Sequence, residues 1–194
     1  ASLIATMAVS DGLMAFARET IRKQTSVQVI VVSPRRAVYR EGQWDPVHDY
    51  PVFDGADAEA LRAHVGDGTA VTMVLSGRAL ARHRGEHHRV NVTLGSATLP
   101  DFGGVEIAAG RFFSDMEAAL DAPVVVVNYA LAREFSPGRD PLTLVGREIH
   151  VRERKRRVIG VLAATRFEDR ENPSFSVIAP IAAANVIIPD WNGV

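Results

Sequence analysis

The sequence predicts an α+β fold built from short helices and mixed strands, not a doubly wound sheet. Three observations lead there. The β-branched runs are too short for helices, capping signals flank short apolar stretches, and a hairpin pattern closes the second half. The 194 residues suit one good-sized domain or two small subdomains sharing a core. Apolar and charged fractions of 47% and 23% exclude a disordered or low-complexity chain. Lys plus Arg is 22 against 23 for Asp plus Glu, a net charge of −1. That balance gives no overall field for a nucleic-acid backbone or an anionic membrane. With no cysteine, disulfide scaffolds, thiolate metal sites and cysteine nucleophiles are excluded, which suits an oxidising compartment without requiring one.

The chain opens without methionine inside a helical pattern, as a segment of something longer does. Ala1 to Phe16 carries one charge, Asp11. No window reaches the ~18 uninterrupted apolar residues of a bilayer span, and no basic region precedes the stretch as in a signal peptide. Leu3, Met7, Met14 and Ile21 recur at heptad-compatible spacing, with Ser10 and Ala17 on the alternate seam. Arg18, Glu19, Arg22 and Lys23 make the later turns amphipathic. Two readings stand: the last turns of a membrane span running into water, or a helix packed on its own core.

Val27-Gln-Val-Ile-Val-Val32 predicts a buried strand. Arg35 to Tyr50, with Gly42, Trp44 and Pro46, predicts a loop or short exposed hairpin. Asp54 or Asp57 caps a helix through Ala63 that ends at Gly66, and Thr69 to Leu75 is a second strand. Residues 27 to 75 then form a strand–helix–strand unit. The alternation Arg89-Val-Asn-Val-Thr-Leu94 predicts a half-exposed strand.

Ser114-Asp-Met-Glu117 is a capping box. Val124 to Val127, four β-branched residues in a row, predict a strand buried on both faces. Asn128 caps a helix through Phe135, stopped by Pro137-Gly138. Glu148 to Val151 and Arg157 to Leu162 make a hairpin with a basic turn. A last short strand, Phe175 to Ile178, ends at Pro180.

Signals for chemistry are sparse. His83, His87 and His88 lie among Arg82, Arg84 and Arg89, cations that repel a metal ion and favour a solvated turn. His48 and Asp49 lack a serine in a strand-to-helix elbow. Asp101 to Gly110 lacks the Lys and Ser/Thr of a phosphate-binding loop, and no dinucleotide fingerprint occurs. Arg152-Glu-Arg-Lys-Arg-Arg157 has the charge to attract lipid phosphates or an acidic partner, although on a hairpin tip such charge commonly blunts an edge. Tyr39, Trp44, Tyr50 and Phe53 gather around the long loop, as a binding surface or a local cap on the core. No catalytic, cofactor-binding or metal residue is assigned, and the chain is expected to be non-enzymatic.

Several segments in order resemble the MacB-like periplasmic core domain of ABC-transporter permeases. They are Gly110-Arg-Phe-Phe-Ser-Asp-Met-Glu117, Val124 to Ala132 with Phe135, Leu144 to Val151, Val158-Ile-Gly-Val-Leu162 and Phe175 to Pro180. Asp11-Gly-Leu13 with Val27 to Val32 looks like that family's helix leaving the first membrane span and its first periplasmic strand. The resemblance implies a stalk helix over 1–25, a Porter-like α/β part over 26–95 and an inserted β-rich Sabre-like part over 96–182. Residues 183–194 would begin the return to the Porter part. The family continues with a further strand and helix, so an open edge near Val27 to Val32 is expected to pair with a neighbouring copy.

The resemblance implies a domain outside the inner membrane, in a permease that dimerises and is driven by an ABC ATPase not encoded here. Periplasmic adaptors, lipoproteins or exported substrates are the further partners it implies. The alternative is a free secreted or periplasmic module binding a small molecule or peptide. That module needs a concave apolar pocket with convergent polar groups.

Overall fold

The computed structural model describes residues 29–34, 37–40, 42–47, 53, 55–65, 69–164 and 173–187. Two compact units divide the chain, Ala1–Ser33 and Pro34–Val194. The first is described only over 29–33, where Ile30 and Val31 are exposed and no strand forms. The strand expected over Val27 to Val32 is therefore corrected for its described part: a β-branched run is only a strand when a partner pairs with it. The helix over 1–25 lies outside the described residues.

The second unit begins with an exposed hairpin of β1 (Ala37–Arg40) and β2 (Gln43–Pro46), turning at Gly42 with φ 90°. Helix α1 (Gly55–His64) follows where the capping aspartates predict it. The strand expected over Thr69 to Leu75 instead begins at Val74. Before it, the Val71 carbonyl accepts from Arg62 and the Thr72 hydroxyl bonds Ser96 at 2.7 Å, so side chains hold this stretch without a ladder. The expected strand–helix–strand unit over 27–75 is accordingly absent among the described residues.

Strands β3 (Val74–His83) and β4 (Glu86–Gly95) form a long hairpin around Arg84-Gly85. Then come β5 (Ile107–Gly110), α2 (Asp115–Ala119), β6 (Val124–Val127) and α3 (Tyr129–Glu134). The hairpin of β7 (Glu148–Val151) and β8 (Arg154–Leu162) precedes β9 (Ser176–Pro180) and the short α4 (Ala184–Ile187).

Strand β4 pairs in parallel with β9, β9 antiparallel with β6, and β6 in parallel with β8. The first half of β8 pairs with β7, and β7 returns to β3 through Ala81↔Val151 and Arg82↔His150. Six strands thus close into a ring. Strand β5 joins the second half of β8, on the edge that β7 occupies further back. The sheet runs across residue 95, since Asn91–Gly95 pairs with Ser176–Pro180.

Period-two alternation decides what fills the ring. Ala79, Ala81, Val90, Val92, Leu94, Val125, Val127, Ile149, Val151, Val158, Val177 and Ala179 point into one core, closed by Leu131, Phe135, Leu144 and Ile187. The opposite faces of β6, β8 and β9 (Val124, Val126, Ile159, Ile178) pack beneath Phe113 and Ala118 as a second core. Strand β6 therefore separates two cores, which is why four consecutive valines are all buried.

Candidate functional site

Alternation divides the histidine-rich run into two populations. His83 and His88 share the inward face with Ala81 and Val90, and both rings lie against Phe135, at 5.6 and 5.7 Å. His88 also meets Phe175 edge-on at 4.8 Å. His83 Nδ1 donates to the Glu148 carbonyl at 2.9 Å. Burial pushes the His83 imidazole below its ordinary value; the Glu148 bond opposes this, and nearby Arg84 and Arg147 add to it. The expected solvated turn is thus corrected: only Arg84-Gly85 is the turn, and two of the three histidines seal one end of the core. Arg82, His87 and Arg89 take the outward positions.

The basic run at 152–157 is likewise more than a solvated tip. Arg156 is buried, on the same face of β8 as Val158. It donates to Asp121 Oδ1 at 3.0 Å and the Ala122 carbonyl at 3.3 Å, while its Nε has no partner. Nor does its hairpin lie on an open edge, because β7 is paired on both sides.

Two motifs that are far apart in sequence meet on β5 and β8. Arg111 N–H donates to the Ile159 carbonyl at 2.9 Å. The Arg111 guanidinium then grips Glu117 through two bonds, of 2.6 and 2.8 Å. Glu117 also accepts from the Ser114 amide at 2.9 Å, and Ser114 Oγ caps the Glu117 N–H, completing the capping box. Arg111 first, and the Ser114 amide second, hold the Glu117 carboxyl down at about 2, from an ordinary 4.5. At the next helix, Asn128 Oδ1 accepts from Leu131 N–H at 3.2 Å and from Ser176 N–H at 3.1 Å. Its Nδ2 donates to the Ser174 carbonyl at 2.6 Å, so one side chain caps α3 and ties it to β9.

Among the described residues, no group of three or more His, Asp or Glu is placed to hold one metal ion. Asp101 lies in a 3-10 turn, Leu99–Phe102, that leads toward β5. Tyr39 and Trp44 meet at 5.3 Å across the β1–β2 hairpin, and Phe53 is half-buried elsewhere in the unit. Tyr50, His48 and Asp49 lie outside the described residues. A shallow depression of about 430 Å³ lies over β3 and β4, lined by Ser76, Gly77, Arg78, Asn91, Val92 and Thr93. Two exposed apolar side chains that the sequence reading did not single out, Met116 and Leu120, sit one turn apart on α2 and just after it.

The architecture has known counterparts. The family model of the MacB-like periplasmic core domain matches residues 1–193, and the chain belongs to that family. Among solved structures it resembles the extracellular domain of the noncanonic ABC-type transporter YknZ from Gram-positive bacteria. That likeness has 16% identity and a TM-score of 0.58, over 69% of this chain and 65% of that one. The periplasmic region of MacB from Actinobacillus actinomycetemcomitans is similar at 18% identity and a TM-score of 0.57, over 69% of this chain and 57% of that one. The alignments thus span less than two thirds of either solved chain. No curated protein sequence matches. The mixed α/β architecture with its β-rich sheet is that of these permease domains, and the family is one of periplasmic domains of ABC-transporter permeases. Among the described residues, no helix is long and apolar enough to cross a membrane.

Proposed function

We propose that the chain transmits ATP-driven conformational change across the membrane, and engages a substrate or periplasmic partner outside it. The observation that carries the reading is the ring of six strands with a core on each side of β6, within a domain of this family. A body held by pairings on every ring strand moves as a unit, as a transmitting element must. The ATPase, supplied by another domain or subunit, and a second permease copy are the partners this role requires. The functional parts remain 1–25 as stalk, 26–95 as Porter-like, 96–182 as Sabre-like and 183–194 as the return. The two middle parts share a sheet through β4 and β9, so motion of one carries the other.

The test is Met14→Pro in the intact permease, because a proline interrupts a helix at a cost of about 3 kcal/mol. Transport or signalling is expected to fail while ATP hydrolysis persists. Full transport in the variant would refute the role proposed for the stalk.

A further inference from the structure

Four aromatic rings from four segments form a chain at the Arg84-Gly85 end of the ring of strands. His83 ends β3, His88 belongs to β4, Phe135 closes α3, and Phe175 leads into β9. Both imidazoles touch Phe135, and His88 also touches Phe175. His83 and His88 are diagonal neighbours on the inward face, since His83 pairs with Glu86 and Ala81 with His88. Phe135 is buried, whereas both imidazoles are half-buried, so a proton reaches them without unfolding of the domain. The other described histidines stand apart from this cluster: His64 and His87 are exposed, and His150 faces outward beside Arg82.

The surroundings resist a charge on these rings. An imidazole moved from water into an apolar cluster favours its neutral form, and nearby cations strengthen that preference. For His83 burial acts first in this sense, the bond to the Glu148 carbonyl opposes it, and Arg84 and Arg147 add to it. The neighbouring carboxylates are engaged elsewhere. Glu148 turns its own to Lys155 at 3.9 Å, and Glu86, opposite His83 at the turn, is exposed to water. On α3 the half-buried Arg133 and Glu134 precede Phe135. A proton on one imidazole also opposes a second on its diagonal neighbour. What the rings hold in place is the entry to β9. There Asn91 N–H donates to the Phe175 carbonyl at 2.9 Å, and Ser176 N–H to Asn128 Oδ1 at 3.1 Å.

We propose that this chain of rings is a pH-sensitive latch, which opens one end of the ring of strands and loosens the entry to β9 as the surroundings acidify. Neutral imidazoles pack on Phe135 and Phe175 and hold the four segments together. A protonated imidazole is better hydrated outside the cluster, and its departure leaves the two phenyl rings to water. The open form takes up a proton near the ordinary 6.5 and the closed form only at lower pH, so acidification favours opening. Packing alone is served by leucine or phenylalanine at these two positions, whereas imidazole adds a response to protons near neutrality. The inference takes from family membership only that the domain lies outside the cytoplasm, and it does not depend on force transmission.

The experiment is amide hydrogen exchange on the 194-residue chain, corrected for intrinsic rates, from about pH 7.5 to about pH 5.5. That interval stays above the range in which Glu117 titrates. Protection of the Asn91, Phe135 and Ser176 amides is expected to fall by roughly threefold or more, while the Arg111 amide on the β5 side keeps its protection. In the double variant His83→Gln, His88→Gln the three amides should lose this pH dependence. Proton NMR of the parent should show the fall following the titration of the His83 and His88 rings. Should the double variant lose its cooperative unfolding, that coincidence is read instead. Level protection over the interval, a midpoint away from both ring titrations, an equal loss at Arg111, or the same response in the double variant overturns the proposal. Failure of Met14→Pro to affect transport would leave this measurement unaltered, so the two proposals fail separately.

Discussion

Gly110 and Gly160 lie against one another where β5 meets the bulged part of β8. A Cβ on Gly110, whose φ is +80°, would fall 2.1 Å from the Ile159 carbonyl oxygen. One on Gly160 would fall 2.5 Å from the Arg111 carbonyl oxygen. The two backbones approach this closely because neither residue has a side chain, and the Arg111 to Ile159 hydrogen bond depends on the approach. Gly110→Ala combines left-handed strain with a clash against backbone that has nowhere to shift. A loss on the order of 3 kcal/mol is expected in urea unfolding. Gly138→Ala, with φ +69° and open space around it, should cost only about 1 kcal/mol. Equal losses at the two sites would show that close packing at β5 and β8 is not the cause.

The Glu117 carboxyl sets an acid limit. Its folded value is depressed from 4.5 to about 2, so its contribution is complete above pH 4.5 and is withdrawn as pH falls toward 2. Arg111 is more than half exposed, so solvent screens the pair and the slope is modest. Unfolding titrations of the parent and Glu117→Gln should differ above pH 4.5 and converge toward pH 2. Parallel curves would count against the pair as the source.

His83 acts nearer neutrality, in the same direction, through a depressed imidazole. The unfolded chain binds a proton below about 6.5, whereas the folded chain resists it until lower pH. Stability should therefore fall as pH drops from 6.5 toward the folded value, and stay level in this respect below it. In His83→Gln, which keeps a donor for the Glu148 carbonyl, that slope should flatten. An unchanged slope in the variant would assign it to another group.

Arg156 and Asp121 should respond unequally to loss of the partner. Removing the carboxylate leaves a buried guanidinium uncompensated, while removing the guanidinium leaves an aspartate that still reaches water. Asp121→Asn, which tolerates the positive φ at this position, should cost roughly 2–3 kcal/mol. Arg156→Met, which fills the same space with an apolar chain, should cost less than about 1 kcal/mol. Chemical denaturation of both variants decides the order, and the reverse order would contradict the burial argument.

Local signals were legible wherever one residue satisfies a neighbour's backbone. Ser114-Asp-Met-Glu117 and Asn128 formed their caps as predicted, and Val124 to Val127 was buried on both faces. The β1–β2 hairpin turns at Gly42, and helix α1 runs close to its predicted bounds. What failed depends on distant partners. Val29 to Val32 has strand composition without a described neighbour to pair with, and Thr69 to Met73 is held by Arg62 and Ser96. The separation of His83 and His88 from His87 was present in the alternation, but only if β3 and β4 continue to Arg84-Gly85. Composition favoured a turn over all eight residues. No local signal marks the contact of Gly110 with Gly160, because it arises from the register between two strands distant in sequence.

Val74, Gly95 and Pro180 share one rung, since Val74 pairs with Gly95 and Gly95 with Pro180. The chain thus enters the ring at β3 and leaves it at β9 from the same end, two strand spacings or about 10 Å apart. The Arg84-Gly85 turn projects at the far end. Entry and exit of the strands between them therefore lie side by side at one end of the ring. Neighbouring ends are the geometry at which a segment is most easily inserted or exchanged, and the exposed turn at Arg84-Gly85, at the opposite end, is where added length would disturb the ring least.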